Sequence, residues 1–198
     1  MNLPTEFRHK ISREEMAILP IRRYEGEVHL VEGLQQLERA AADLREEEVL
    51  GVDTETRPAF RKGESYLPSL AQVATARAVY LFPLQRLDCS GLLAELLAAP
   101  GIVKTGVGLA DDLRQLKLLF PFAEASVLDL GLVARRRGLR QTGSRNLAGI
   151  FLGSRTPKGA KTTNWAARHL SPQQITYAAT DAWACRDLYL RFREIGLL

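Results

Sequence analysis

The sequence predicts an α/β domain with a mixed sheet covered by helices on both faces. Three observations carry that expectation. Strand-like runs come first as a meander and later alternate with helical ones. The run Glu48 to Glu55, Glu-Val-Leu-Gly-Val-Asp-Thr-Glu, starts apolar and ends in carboxylates, which are costly in a core and expected at a site. Ser171-Pro172-Gln173-Gln174 supplies an N-cap, a proline at the first helical position and a glutamine at the third, opening a long helix to about Ile195.

In chain order, residues 1–25 read as an arm, in which Ser12-Arg13-Glu14-Glu15 forms a capping box for a short helix that Pro20 stops. Residues 26–198 form one domain. Glu27 to Val31 is a short strand, and Gly33 to Glu47 a helix with Leu34, Leu37, Ala40, Ala41 and Leu44 on one face. After the Glu48–Glu55 strand comes a loop from Thr56 to Pro68. Ser69 to Thr75 and Ala78 to Pro83 then make a hairpin across Ala76-Arg77. Ser90 to Ala99 is helical, Ile102 to Thr105 a strand, and Asp111 to Phe120 helical. A brief strand from Ser126 to Leu128 leads to Asp129, the N-cap of a helix from Leu130 to Arg137. Asn146 to Leu152 is a short helix and Gly153 to Arg168 a basic loop.

At 198 residues and 46% hydrophobic, the chain fills one well-buried domain, and 25% charged residues with 9 prolines argue against disorder. No apolar run approaches the roughly 18 residues a membrane span needs. The first residues lack a signal-peptide core, and Cys89 and Cys185 stand in no ligand-like spacing, so a reduced, cytoplasmic setting is expected. The net charge of +4 is unevenly spread. No acid lies between Asp129 and Asp181, whereas Arg135, Arg136, Arg137, Arg140, Arg145, Arg155, Lys158, Lys161 and Arg168 do. A segregated basic block is the footprint of a polyanion, so nucleic acid is the expected partner.

Against that block stand three acidic groups. Asp53 and Glu55 are two apart on a strand and share a face. Asp112 closes Gly106-Val-Gly-Leu-Ala-Asp-Asp, and Tyr177 and Asp181 are neighbours one helical turn apart. Carboxylates gathered from separate elements suit hard cations such as Mg²⁺ or Mn²⁺, and the phenol adds a group able to orient water. The combination points to metal-assisted phosphodiester hydrolysis. The same glycine run invites a dinucleotide-binding (Rossmann-type) reading, with Asp129 placed for a ribose, but Asp111 and Asp112 would repel a pyrophosphate. A nucleic-acid-binding module without chemistry is the other alternative.

As a set, Asp53-x-Glu55, Gly106-Val-Gly-Leu-Ala-Asp-Asp112 and Tyr177-x-x-x-Asp181 resemble the motifs of DEDD-type 3′-5′ exonucleases, in the tyrosine subgroup (DEDDy). Finer matches resemble Werner-type exonuclease domains and their small bacterial relatives, related to ribonuclease D. They are Asp53-Thr-Glu-Thr-Arg-Pro-Ala-Phe60, Ala71-Gln72-Val-Ala-Thr75, Thr163-Asn164-Trp165 and the stretch from Ser171 to Ala182. The resemblance implies a ribonuclease H-like fold and two Mg²⁺ or Mn²⁺ ions per site. It implies Asp53 as bridging ligand, Glu55 and Asp181 completing the site of the attacking water, and Asp112 holding the second ion, largely through water. Tyr177 would orient the water, and 5′-nucleoside monophosphates would leave single-stranded 3′ ends. Substrate contacts are expected from Thr54, from Phe60 or Tyr66 stacking on a base, and from Lys158, Lys161 and Asn164. Trp165 is assigned either to that surface or to the core.

Overall fold

The computed structural model describes Phe7, residues 10–157, Ala160 and residues 162–198. Six strands, β1 (Glu27–Leu30), β2 (Val49–Glu55), β3 (Leu70–Ala74), β4 (Ala78–Pro83), β5 (Val103–Gly106) and β6 (Val127–Asp129), form one sheet in the order β1-β4-β3-β2-β5-β6. The β2-β3-β4 meander is antiparallel, and β1, β5 and β6 add in parallel at its sides. This is the mixed sheet expected. Thr75 Oγ1 tightens the hairpin by accepting from the amides of Arg77 (3.1 Å) and Ala78 (2.9 Å).

Alternation along the strands divides the core. Leu50, Val52, Ala71, Val73, Tyr80 and Phe82 face helices α2 (Leu34–Arg45), α3 (Ser90–Ala98) and α4 (Leu109–Leu116). Val49 packs beneath α5 (Leu130–Arg136), α6 (Ser144–Phe151) and the C-terminal half of α7 (Pro172–Glu194). Leu70, Ala74, Val79 and Leu81 lie under the alanines of α7. The long helix comes very close to the central strand because position 51 is glycine: a Cβ there would sit 2.2 Å from the Ala182 carbonyl oxygen.

Both capping boxes form. Ser12 accepts from Glu15 N and opens α1 (Arg13–Ile18), and Ser171 accepts from Gln174 N to open α7. Asp129 caps α5 through the amides of Gly131 (2.8 Å) and Leu132 (3.2 Å). One boundary differs in a way that bears on the site. Helix α4 begins two residues before the expected Asp111, because Gly108 takes the left-handed conformation (φ 81°) and ends the preceding strand abruptly. Asp111 and Asp112 thus occupy its first turn, where the helix dipole favours carboxylates. At the other end the expected helix is cut short at Leu116, and Lys117 to Leu119 form turns.

Candidate active site

Pleating sends Asp53 and Glu55 toward α7, and Thr54 to the opposite face, toward α4. Helix α7 presents Asp181 to the strand pair. Asp53, Glu55 and Asp181 each offer a carboxylate oxygen within 4.8 Å of the others, the tight acidic group among the described residues. Glu55 is 7% exposed. Asp112 stands outside this trio but is fastened to it: Thr54 Oγ1 donates a hydrogen bond to Asp112 Oδ1, tying the first turn of α4 to the strand between Asp53 and Glu55. Its neighbour Asp111 turns outward to Arg114 at 2.9 Å, so the two adjacent aspartates have separate roles.

The electrostatics follow from this crowding. Burial, followed by the charges of Asp181, Asp112 and Glu55, pushes the Asp53 carboxyl well above the ordinary range. Burial also raises Asp112, against the opposing hydrogen bond from Thr54. The Tyr177 phenol is pushed up by its own burial and then by Asp181 and Glu55, and it is hydrogen-bonded to the Asp181 side chain. Mutually repelling carboxylates held at this spacing call for compensating positive charge. An all-oxygen donor set with no histidine or thiolate fits a hard divalent cation. Cys185, one turn beyond Asp181, lies beneath the group; burial and the nearby aspartates keep it a neutral thiol.

The remaining expected contacts fall in different places. Phe60 is 83% exposed on the loop after β2. Tyr66 lies on the same loop with the Arg57 guanidinium 4.1 Å above its ring. Asn164 is exposed, and its Oδ1 accepts from the Ala166 amide at 3.1 Å. Trp165 is 2% exposed, its ring centroid 6.0 Å from that of Tyr177, so of its two readings the structure gives it the core: it backs the phenol. Lys158 and Lys161 lie outside the described residues.

Gly51 escaped the sequence reading, and Gln72 entered it only as part of a motif match. Gly51 sets the depth at which α7 docks, and its signal was a glycine inside an otherwise apolar strand. Gln72 pairs with Asp53 across β2–β3 and is fully buried, with neither amide atom hydrogen-bonded. Its signal was one amide in the run Leu-Ala-Gln-Val-Ala.

The dinucleotide-binding alternative has no support in this geometry. A Cβ on Gly106 would lie 2.5 Å from the Val52 carbonyl oxygen, so that glycine serves the contact between strands. Asp129, the expected ribose acid, is spent on the Gly108 amide (3.2 Å) and on capping α5.

Comparison with known proteins agrees. A family model described as 3′-5′ exonuclease matches residues 28–196. The human exonuclease mut-7 homolog is 32% identical over 86% of this chain and 23% of its own length. Ribonuclease D of Haemophilus influenzae is 33% identical over 73% of this chain and 36% of its own. The chain therefore spans well under half of either relative. The crystal structure of the Aedes aegypti Nibbler EXO domain superposes with a TM-score of 0.78 at 23% identity, covering 89% of this chain and 91% of that one. That likeness establishes the ribonuclease H-like fold. Because the matched span contains all four carboxylates and the phenol, the chain belongs to the 3′-5′ exonuclease family.

Proposed function

We propose that this chain is a divalent-metal-dependent 3′-5′ exonuclease that trims single-stranded 3′ ends, RNA in preference to DNA, and releases 5′-nucleoside monophosphates. The observation that carries this reading is the trio Asp53, Glu55 and Asp181 within 4.8 Å, with Asp112 bound to the same strand through Thr54. The preference for RNA rests on the likeness to ribonuclease D. A cytoplasmic setting is part of the proposal, supported by two free, buried cysteines. Among the described residues, no helix is long and apolar enough to cross a membrane.

Asp53, Glu55 and Asp181, with Asp112 beside them, would hold a pair of divalent cations. Mg²⁺ is favoured for a site that leaves Asp112 apart from the trio, since that ion keeps part of its water shell. When bound, such a pair neutralises phosphate charge and acidifies the attacking water. Thr54 keeps Asp112 directed at the site. Tyr177, whose raised pKa keeps it protonated at neutral pH, orients the water as a neutral hydrogen-bond partner and is no base. Trp165 fixes the phenol ring from behind. Phe60 is placed to cover the terminal nucleotide by stacking.

End-labelled RNA and DNA strands of one sequence, incubated with Mg²⁺ or Mn²⁺, test the reading. A ladder that shortens from the 3′ end, is faster on RNA and vanishes with chelator is the expected result. Intact strands under every condition refute it.

A further inference from the structure

The segment that precedes β1 lies outside the family-matched span, yet it is built onto the same helix as the site. Ile21 forms a parallel bridge with Arg155, and backbone hydrogen bonds run from Arg22 N to Arg155 O (3.0 Å) and from Arg155 N to Pro20 O (2.9 Å). The Tyr24 amide donates to Thr180 Oγ1 at 3.0 Å, one residue before the Asp181 ligand. Arg22 is already engaged, with its guanidinium 4.8 Å above the Trp183 ring and 3.9 Å from Asp187. Arg23, between these two anchored residues, is exposed and has no carboxylate partner among the described residues.

Arg23 does line a pocket of about 290 Å³, together with Pro157, Pro172, Gln173, Thr176 and Tyr177. Among the described residues that lining brings together Arg23, an amide side chain and two hydroxyl-bearing side chains, with no acid. It also includes Tyr177 of the candidate site. Such a pocket suits an anion the size of a sugar-phosphate unit, and a fork of guanidinium donors suits phosphate oxygens.

We propose that the arm is part of the substrate site: Arg23 binds a backbone phosphate of the nucleic-acid strand next to the scissile one, in the pocket it shares with Tyr177. This rests on the exonuclease reading for the identity of the strand. The pinned backbone on either side of Arg23 pre-orients it, so the contact requires little ordering when the strand arrives.

Two substrates separate this contact from general damage. One is a single-stranded oligonucleotide; the other is the p-nitrophenyl ester of thymidine 5′-monophosphate, which has no neighbouring phosphate. Arg23→Ala should lower kcat/KM on the oligonucleotide about tenfold more than on the ester, and Arg23→Glu should lower it further. Fluorescence anisotropy of the oligonucleotide should show weaker binding, with a log–log salt slope shallower by about 0.7, the value for one phosphate contact on a single strand. Arg13→Ala, the same charge loss elsewhere on the arm, should match wild type. Equal losses on both substrates, or wild-type affinity and slope for Arg23→Ala, overturn the proposal. If the wild-type protein cleaves neither substrate, the exonuclease reading fails, and anisotropy alone decides the Arg23 contact.

Discussion

Gly51 of β2 and Ala182 of α7 meet backbone against backbone, so closely that a methyl group on Gly51 would lie 2.2 Å from the Ala182 carbonyl oxygen and 2.9 Å from Arg186 Cβ. Asp53 is two residues from one partner and Asp181 one residue from the other. Gly51→Ala should therefore push the helix away and open the trio. The overpacking should cost about 1–3 kcal/mol. Calorimetric titration with Mn²⁺ should show affinity lowered at least about tenfold; wild-type affinity in a folded variant would mean the close approach does not set the site.

Asp53 carries opposing effects on function and stability. Asp53→Asn should lower kcat by about 10³ or more, the scale of a lost ligand and electrostatic clamp. In chelator the same variant should melt at a higher temperature than wild type. The folded-state pKa of Asp53 is raised above its unfolded value, so its ionised form disfavours the fold at neutral pH, and that penalty fades as pH falls through the folded value. The gap in melting temperature should accordingly narrow on acidification. A wild-type protein that melts higher than the variant in chelator at pH 7 would contradict the repulsion described here.

Tyr177→Phe keeps the ring against Trp165 and removes only the hydroxyl. Single-turnover rates should fall roughly 10–100-fold, less than the about 10²–10⁴ a proton-transferring group supplies, with substrate affinity little changed. A rate equal to wild type would withdraw the phenol from the mechanism.

Lys104 lies on β5 at 1% exposure with its Nζ donating to the Ala99 carbonyl at 2.5 Å, and burial lowers its pKa to about 8. The unfolded chain then binds the extra proton between pH 8 and the ordinary lysine range, so stability rises with pH across that window. Lys104→Met should be more stable than wild type by about 1–2 kcal/mol at pH 7, allowing for residual solvent screening. Urea melts at pH 7 and 10 should show that advantage shrinking; a constant gap would place the ammonium in water.

Local chemistry was legible in the sequence. Ser12, Asp129 and Ser171 announced helix starts because a cap is a contact within three residues, and the meander was visible because strand alternation is local too. Asp53-x-Glu55 and Tyr177-x-x-x-Asp181 were legible for the same reason: each pair shares a face of one element. What could not be read were relations between elements. Nothing near Gly51 in the chain says that a helix more than a hundred residues later rests on it. Gln72 stood in a motif match, but only the strand register sets it opposite Asp53. Thr54, expected to touch substrate, proved to be bound to Asp112, because the pleat sends it to the face where α4 sits.

The carboxylate trio joins one strand near the beginning of the domain to the last of the described helices. During synthesis, Asp53 and Glu55 leave the ribosome long before Asp181 exists to face them. Contacts so distant in sequence form late, after the long loop between them has been closed. The four carboxylates therefore come together only when the last of the described helices settles onto the sheet, so the site is one of the final features of the fold to form.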